Sequence, residues 1–186
     1  MYNVAIRARK HRVNSRLEPS GASLGIRSPI ELLESVKDRL SPGDDVLNVI
    51  ARVFNIGVEY VPLELEESGS LAFNSNREQW MITINSLHHP KRQRFTFAHE
   101  IAHFFLHRNK QNNFSDKVFF RAENVNSHLE FEANNFAGAL LMPKETFVDF
   151  IRNNSNSIQE ISNEFNVSAM AVKVRADVIR GGQYGF

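Results

Sequence analysis

Two histidines four residues apart, His99 and His103, with Glu100 directly after the first, constrain this chain more than any other feature. On an α-helix, positions i and i+4 lie on one face, so the two imidazoles can bind one divalent cation without distorting the backbone. Glu100 lies about 100° further round the helix, where its carboxylate can reach a water on that cation rather than the cation itself. The spacing therefore predicts a helix that carries a hydrolytic metal centre.

The residues around this motif are mostly apolar, which predicts that the helix is buried. They are Phe95, Phe97, Ala98, Ile101, Ala102, Phe104, Phe105 and Leu106. A buried ionisable side chain has to be paired or bound to a metal, because its desolvation is otherwise costly. The metal interpretation is therefore favoured over a core helix whose histidines only bond to the backbone.

Composition narrows the ligands that such a metal can have. The 186 residues include seven histidines and no cysteine. Disulfides and thiolate metal sites are therefore excluded, and His, Asp and Glu remain as strong ligands. The net charge of +1 indicates no particular charged partner. No apolar run reaches the length of a membrane span and no secretory signal is evident, so we expect a soluble cytoplasmic protein.

Hydrophobic periodicity and capping signals predict an α+β fold that is mainly helical, with a small antiparallel sheet of about three strands. Ser28-Pro29 followed by Glu31 is typical of a helix N-terminus, and Pro90 can open the helix that carries the motif. The predicted helices cover about 29–40, 45–54, 90–107, 127–142, a stretch after Pro143 and two stretches within 157–180, and the predicted strands cover 58–61, 70–73 and 79–84.

These signals divide the chain into three parts. Residues 1–43 form an N-terminal tail and helix, 44–152 the metal-binding core, and 153–186 a C-terminal helical segment. Residues 1–28 are rich in Arg, Lys, Ser and Gly. We interpret them as a loosely ordered tail in preference to a nucleic-acid-binding arm.

The sequence pattern of residues 157–175, in the C-terminal segment, is typical of a helix-turn-helix. Its second helix carries Lys173, Arg175 and Arg180, which is fewer base-reading side chains than recognition helices usually present. A structural or protein-docking role is therefore favoured over direct binding of nucleic acid.

Two imidazoles hold a metal weakly, and catalytic zinc sites usually have three protein ligands and one water. The helix predicted at 128–142 offers Glu130 and Glu132, whose side chains diverge by about 200°, so at most one can face the metal. Glu130 is favoured because small residues share its face and permit close helix packing, and Glu132 stays the alternative. Asn134, one turn after Glu130, is a candidate to hydrogen-bond a ligating histidine.

Three further side chains near the motif are candidates to contact a ligand, a substrate or a developing oxyanion. His107 continues the four-residue spacing from His103, so contact with a ligating histidine or with substrate is favoured over a simple effect on the helix dipole. As stabilisers of an oxyanion we rank His107 first, then His88, then Arg94.

Two segments of the chain resemble the ImmA/IrrE family of metallopeptidases. They are residues 94–107, around the histidine motif, and residues 130–143, which end in Leu-Leu-Met-Pro. The second segment is the more specific, since many metallopeptidases share the first. The resemblance covers about residues 44–150, extends to the helix-turn-helix-like end and leaves residues 1–40 unexplained.

The resemblance implies a zincin-like core in which His99, His103 and Glu130 are the metal ligands and Glu100 is the catalytic base. Zn²⁺ is the first choice of metal, and Mn²⁺ or Fe²⁺ suit the same ligands. Members of the family commonly act on helix-turn-helix repressors, often in toxin–antitoxin, prophage or stress-response settings. The implied substrate is therefore a repressor or antitoxin-like protein, which we expect to bind along the edge of the sheet at 70–84.

The main alternative is a DNA-binding or protein-binding regulatory module, of toxin–antitoxin or phage type, that holds a metal without peptidase activity. It predicts a bound metal and no cleavage of any protein.

Overall fold

A computed structural model describes residues 25–109, 113–117 and 126–182 of the chain. The predicted choice between a tail and a nucleic-acid-binding arm concerns residues 1–28, of which residues 1–24 lie outside the described residues. The described elements are α1 (Pro29–Val36), a 3₁₀ turn (Lys37–Arg39), α2 (Val46–Val53), β1 (Ile56–Val61), β2 (Glu67–Asn74), β3 (Gln79–Asn85), α3 (Pro90–Leu106), β4 (Asn113–Lys117), α4 (Asn126–Leu141), α5 (Lys144–Asn153), α6 (Ile158–Glu164) and α7 (Ala169–Gly181). The predicted α+β class is confirmed.

Side-chain caps fix where the first helix and the motif helix begin. The Ser28 hydroxyl accepts a hydrogen bond from the Glu31 backbone N–H at 3.2 Å, and the Glu31 carboxylate accepts one from the Ser28 N–H. His89 caps α3 by accepting from the Lys91 N–H at 3.2 Å, and Pro90 occupies the first helical turn. These caps satisfy N–H groups that a helix start would otherwise leave unpaired.

Among the described residues, the sheet has four strands in the order β1-β3-β2-β4. β2 and β3 form an antiparallel hairpin, β4 runs antiparallel to β2, and β1 runs parallel to β3 with Ile56 opposite Trp80. The predicted small sheet of about three strands is present with β4 as a fourth strand, and the prediction that all strands are antiparallel was wrong for β1. Side-chain alternation reports which face of a strand is buried and carries no information on the direction of its partner.

The location of the sheet edges corrects a second expectation. Both strands within 70–84 have a neighbour on each side, so the outer strands of the part of the sheet that the structure describes are β1 and β4 instead. β4 was missed because Asn113–Lys117 contains mostly residues of low strand propensity, and backbone pairing with β2 supplies what local propensity does not.

One hydrophobic core joins the helices to the sheet. It includes Leu32 of α1, Ile82 of β3, Ile101 of α3, Phe136 of α4 and Val172 of α7, so residues from all three predicted parts of the chain contribute to it. None of the helices in the described ranges has the length and apolar character needed to cross a membrane.

β2 lies directly against α3 at Gly69. A Cβ atom at this position would lie 2.6 Å from Thr96 Cγ2 and 2.7 Å from the Thr83 carbonyl oxygen, both closer than van der Waals contact allows. Glycine therefore permits the close approach of the sheet to the helix that carries the motif.

Candidate metal centre

α3 and α4 bring His99, His103 and Glu130 together, and we refer to these three residues as the His-His-Glu cluster. His99 Nε2 lies 2.9 Å from His103 Nε2. Glu130 Oε2 lies 3.1 Å from His99 Nε2, and Glu130 Oε1 lies 3.3 Å from His103 Nε2. Both imidazoles are buried, whereas the Glu130 side chain is 38% exposed. The cluster is therefore enclosed by protein on one side and accessible from solvent on the other.

The separations of these three atoms suit a small divalent cation. A metal bound at about 2.0–2.2 Å to each of three ligands in a roughly tetrahedral arrangement requires ligand atoms about 3–3.5 Å apart. Two imidazole nitrogens and one carboxylate oxygen are also a donor set that zinc accepts, and Mn²⁺ or Fe²⁺ tolerate the same set. The residues present thus fit a catalytic type of metal site.

Small residues allow the two helices to approach closely enough for this contact. Ala133 and Ala137 share the face of α4 that carries Glu130, and both are fully buried. Helices with alanine at their contact positions pack at the short end of the usual range of interaxial distances. This packing brings the Glu130 carboxylate within reach of the two imidazoles on α3.

His103 and Glu130 have the protonation states that metal ligands need. Burial lowers the pKa of His103 to about 4, despite the opposing effect of its hydrogen bond with Glu130. Burial alone would raise the pKa of Glu130, but hydrogen bonds with His103 and His99 outweigh it and hold that pKa well below the usual range. Near neutral pH His103 is therefore a neutral imidazole and Glu130 an ionised carboxylate, and a metal would displace the Nε2 protons that these hydrogen bonds use.

The ring nitrogens that face away from the cluster also have partners. His99 Nδ1 lies 3.0 Å from Asn134 Oδ1, and His103 Nδ1 lies 2.9 Å from His107 Nδ1. Glu132, the alternative third ligand, lies instead against His107, with Oε2 3.2 Å from His107 Nε2. Of the two glutamates, the structure brings Glu130 to the imidazoles and Glu132 to the next histidine along α3.

Glu100 is fully buried on the side of α3 that faces the sheet. A Cβ on Gly69 of β2 would lie 3.6 Å from Glu100 Oε1, which places the carboxylate next to this strand. Glu100 and the two histidines thus occupy adjacent sides of one helix, as the sequence spacing predicts.

Two predicted site residues do not join the cluster. The Arg94 guanidinium pairs with the carboxylate of Asp45, the cap of α2, and so ties α3 to the helix before the sheet. His88 lies in the turn that precedes α3, and its Nε2 is 3.2 Å from the Leu65 carbonyl oxygen. Both side chains are committed to structural contacts, so the geometry offers no support for a role in stabilising an oxyanion.

Sequence reasoning did not assign the pairing of Glu132 with His107. A signal for it was present, since a third histidine continues the four-residue spacing of α3 and the facing helix carries a second glutamate. The pairing depends on the angle between two helices, which no local pattern specifies.

A buried helix with the His-Glu-x-x-His pattern and a glutamate supplied by α4 form a candidate metal site of the metalloprotease type. Residues 51–177 match the family described as the IrrE N-terminal-like domain, peptidase M78, and the chain belongs to this family. The predicted family resemblance is thereby confirmed.

Two relatives illustrate the extent of the similarity. The chain is 29% identical over 131 residues to the radiation response metalloprotease IrrE of Deinococcus radiodurans, a match that covers 69% of this chain and 38% of that protein. A solved structure described as a Mycobacterium tuberculosis transcriptional regulator aligns with 82% of this chain and 43% of its own length, with a TM-score of 0.47 and 18% identity. The chain thus matches less than half the length of each relative.

Proposed function

We propose that this chain is a metal-dependent endopeptidase that cleaves a protein substrate. The observation that carries the proposal is the convergence of His99 Nε2, His103 Nε2 and the Glu130 carboxylate within 2.9–3.3 Å. The buried carboxylate of Glu100, adjacent on the same helix, supplies the other group that peptide hydrolysis needs. Membership of the peptidase family supports the same conclusion.

His99, His103 and Glu130 would hold one divalent cation, with Zn²⁺ as the first choice and Mn²⁺ or Fe²⁺ as alternatives. When bound, such an ion supplies Lewis acidity, which polarises a carbonyl and lowers the pKa of water. Asn134 keeps the His99 ring oriented through its contact at Nδ1, so that Nε2 faces the ion.

Glu100 is the general base in this proposal. It accepts a proton from the attacking water and delivers that proton to the amine of the leaving peptide, so one carboxylate serves both halves of the reaction. Its position against β2 shields it from bulk solvent, while the exposed side of Glu130 leaves an approach for a polypeptide chain.

The substrate that we propose is a helix-turn-helix repressor or an antitoxin-like protein, because the family resemblance implies this class. A role in transcriptional regulation and a location in the cytoplasm, where such a repressor meets its DNA, follow from that substrate.

The experiment compares cleavage by the wild-type chain with cleavage by Glu100→Gln. The zinc-loaded proteins are incubated with a helix-turn-helix repressor, chosen from the neighbouring open reading frame if that frame encodes one, and products are followed by intact mass. We expect Glu100→Gln to bind zinc but to cleave on the order of 10²–10⁴-fold more slowly. Glu160→Gln, at an exposed position of α6, is the matched control and should cleave normally. Equal rates for Glu100→Gln and the wild type would contradict the proposal.

The alternative, a regulatory module that binds DNA without hydrolysis, receives less support from the C-terminal helices. Residues 153–186 carry three basic and three acidic side chains, so the segment has no net charge. Arg175 is buried with its Nε bonded to the Met142 carbonyl, and Arg180 lies 3.7 Å from Asp177. Binding of DNA by both the wild type and Glu100→Ala, with no protein cleaved, would favour this alternative.

A further inference from the structure

A row of polar contacts leads from His103 of the His-His-Glu cluster to a carboxylate at the surface. His103 Nδ1 lies 2.9 Å from His107 Nδ1, and His107 Nε2 lies 3.2 Å from Glu132 Oε2. His103 and His107 are buried, whereas the Glu132 side chain is 40% exposed. The row therefore connects a buried imidazole of the cluster to a charge that is partly in solvent.

The geometry of α3 explains why His107 contacts His103 and does not join the cluster. Each step of four residues rotates a side chain by about 40° around the helix axis, so His107 is turned away from the point that His99 and His103 share. Its ring centroid lies 5.0 Å from that of His103, and its backbone N–H donates to the His103 carbonyl at 2.9 Å. His107 is thus held next to one imidazole of the cluster.

Metal binding would fix the direction of every proton along this row. A neutral imidazole carries one proton, so a His103 that binds a cation through Nε2 carries its proton on Nδ1. That N–H donates to His107 Nδ1, which leaves the proton of His107 on Nε2. The Nε2–H of His107 then donates to Glu132, and both hydrogen bonds point from the metal towards the carboxylate.

The two imidazoles of the cluster therefore have different hydrogen-bond partners at Nδ1. His99 Nδ1 faces the side-chain oxygen of Asn134, which is neutral. His103 instead leads through His107 to a carboxylate, and a negative charge at the end of a hydrogen-bonded row polarises the imidazoles within it.

We propose that His107 and Glu132 are positioning residues that orient His103 and strengthen it as a metal ligand. The inference rests on the proposed function, since it concerns the same metal, and it adds two residues to the groups on which that metal depends. It also gives the second glutamate of α4 a role separate from that of Glu130.

The first test measures Zn²⁺ affinity by competition with a chromogenic chelator. We expect Glu132→Gln, which removes the charge and keeps the shape, to lower the affinity about tenfold. His107→Phe, which removes both nitrogens and keeps a ring, should lower it about 10- to 100-fold. Because Glu132 is partly exposed, Glu132→Gln should fold normally even if His107→Phe does not, and far-UV circular dichroism of the metal-free proteins checks this.

His128 provides the matched control. Its Nδ1 lies 3.3 Å from the same Glu132 oxygen, but its side chain is 77% exposed and lies outside the path to His103. His128→Gln should therefore bind zinc within about twofold of the wild type.

The second test determines which ring nitrogen of each imidazole carries the proton. A purely structural role for His107 would not fix this tautomer. Long-range ¹⁵N spectra of the zinc-loaded wild type should show the His107 proton on Nε2 and the His103 proton on Nδ1. A His107 proton on Nδ1, or wild-type zinc affinity in both Glu132→Gln and His107→Phe, would overturn the inference.

The outcomes also separate this inference from the proposed function. If His99→Ala loses zinc while the His107 and Glu132 variants bind normally, the cluster stands and the positioning role fails. If His99→Ala binds zinc as the wild type does, the proposed metal site itself fails.

Discussion

The α3–α4 pair and the α6–α7 pair both bury polar side chains, but the partners of those side chains differ. Between α3 and α4, the buried imidazoles of His99 and His103 face each other and the partly exposed carboxylate of Glu130. In the C-terminal pair, Arg175 Nε donates to the Met142 carbonyl at 3.0 Å, and the Ser162 hydroxyl donates to the Val167 carbonyl at 2.6 Å. Burial of a polar group therefore does not by itself indicate a functional site.

The two helix pairs differ in the partners that their buried polar side chains require. Backbone carbonyls are fixed acceptors, so a buried arginine or serine that meets one is satisfied by the fold alone. Two imidazole nitrogens and a carboxylate at mutual distances near 3 Å are instead a set of electron-pair donors around one point, which suits a cation. We therefore expect changes in the first pair to alter metal binding and changes in the second pair to alter only stability.

The largest expected effect is the loss of stabilisation by zinc when one ligand of the cluster is removed. At a free zinc concentration of about 1,000 times Kd, the wild type should gain about 4 kcal/mol in its free energy of unfolding. His99→Ala should gain almost none at the same concentration. Urea denaturation with and without zinc measures both values, and an equal gain in the two proteins would remove the distinction between the two regions.

The next effect is the pH dependence of the metal-free protein. The pKa of His103 is about 4 in the folded state and near its ordinary value of 6.5 after unfolding. The unfolded chain therefore binds the proton first as the pH falls, so stability decreases between about pH 6.5 and pH 4 and levels off below. The maximum loss is about 3 kcal/mol, and the lowered pKa of Glu130 adds a loss of the same sign at more acidic pH.

Urea denaturation in a zinc-free buffer over this pH range checks the sign. His103→Phe should reduce the pH dependence, because it removes the group with the altered pKa. Residues 153–186 contain no histidine, so the C-terminal pair contributes no imidazole to this range. A wild type that becomes more stable as the pH falls from 6.5 to 4 would contradict the prediction.

Substitution of the buried arginine tests the second region. Arg175→Met leaves the Met142 carbonyl without its side-chain donor and should lower the free energy of unfolding by about 1–3 kcal/mol. The zinc affinity of the folded protein should not change. Arg180→Met, at an exposed position of α7, is the control and should change stability by less than about 0.5 kcal/mol.

The smallest effect is expected at Lys91, which links the two regions. Its Nζ donates to the Ser162 carbonyl at 3.1 Å and to the Asn163 side chain at 2.8 Å, and so ties the start of α3 to α6. Because Lys91 is only partly buried, Lys91→Met should cost about 1 kcal/mol of stability. If this variant also binds zinc several-fold more weakly than Lys173→Met, α6 helps to position α3 and the two regions are coupled.

The local parts of the fold could be predicted from the sequence. The capping box at Ser28 and Glu31, the start of α3 at Pro90 and the hairpin of β2 and β3 each depend on a few neighbouring residues. The shared face of His99 and His103 follows from helix geometry in the same way.

The parts that depend on long-range pairing could not be predicted. The direction of β1, the existence of β4 and the pairing of Arg94 with Asp45 join residues that are distant in sequence. Their partners are chosen by tertiary packing, which outweighs local propensity. The meeting of Glu132 with His107 belongs to the same class, because it requires the relative orientation of α3 and α4.

The most direct measurement is an anomalous difference map of zinc-soaked crystals, collected on both sides of the zinc absorption edge. We predict one strong peak about 2.0–2.2 Å from His99 Nε2, His103 Nε2 and a carboxylate oxygen of Glu130. We also predict no such peak in crystals of Glu130→Ala that are soaked at a zinc concentration just sufficient for the wild type. A peak elsewhere in the molecule, or a zinc ion held by the two histidines with Glu130 turned away, would contradict the proposed metal site.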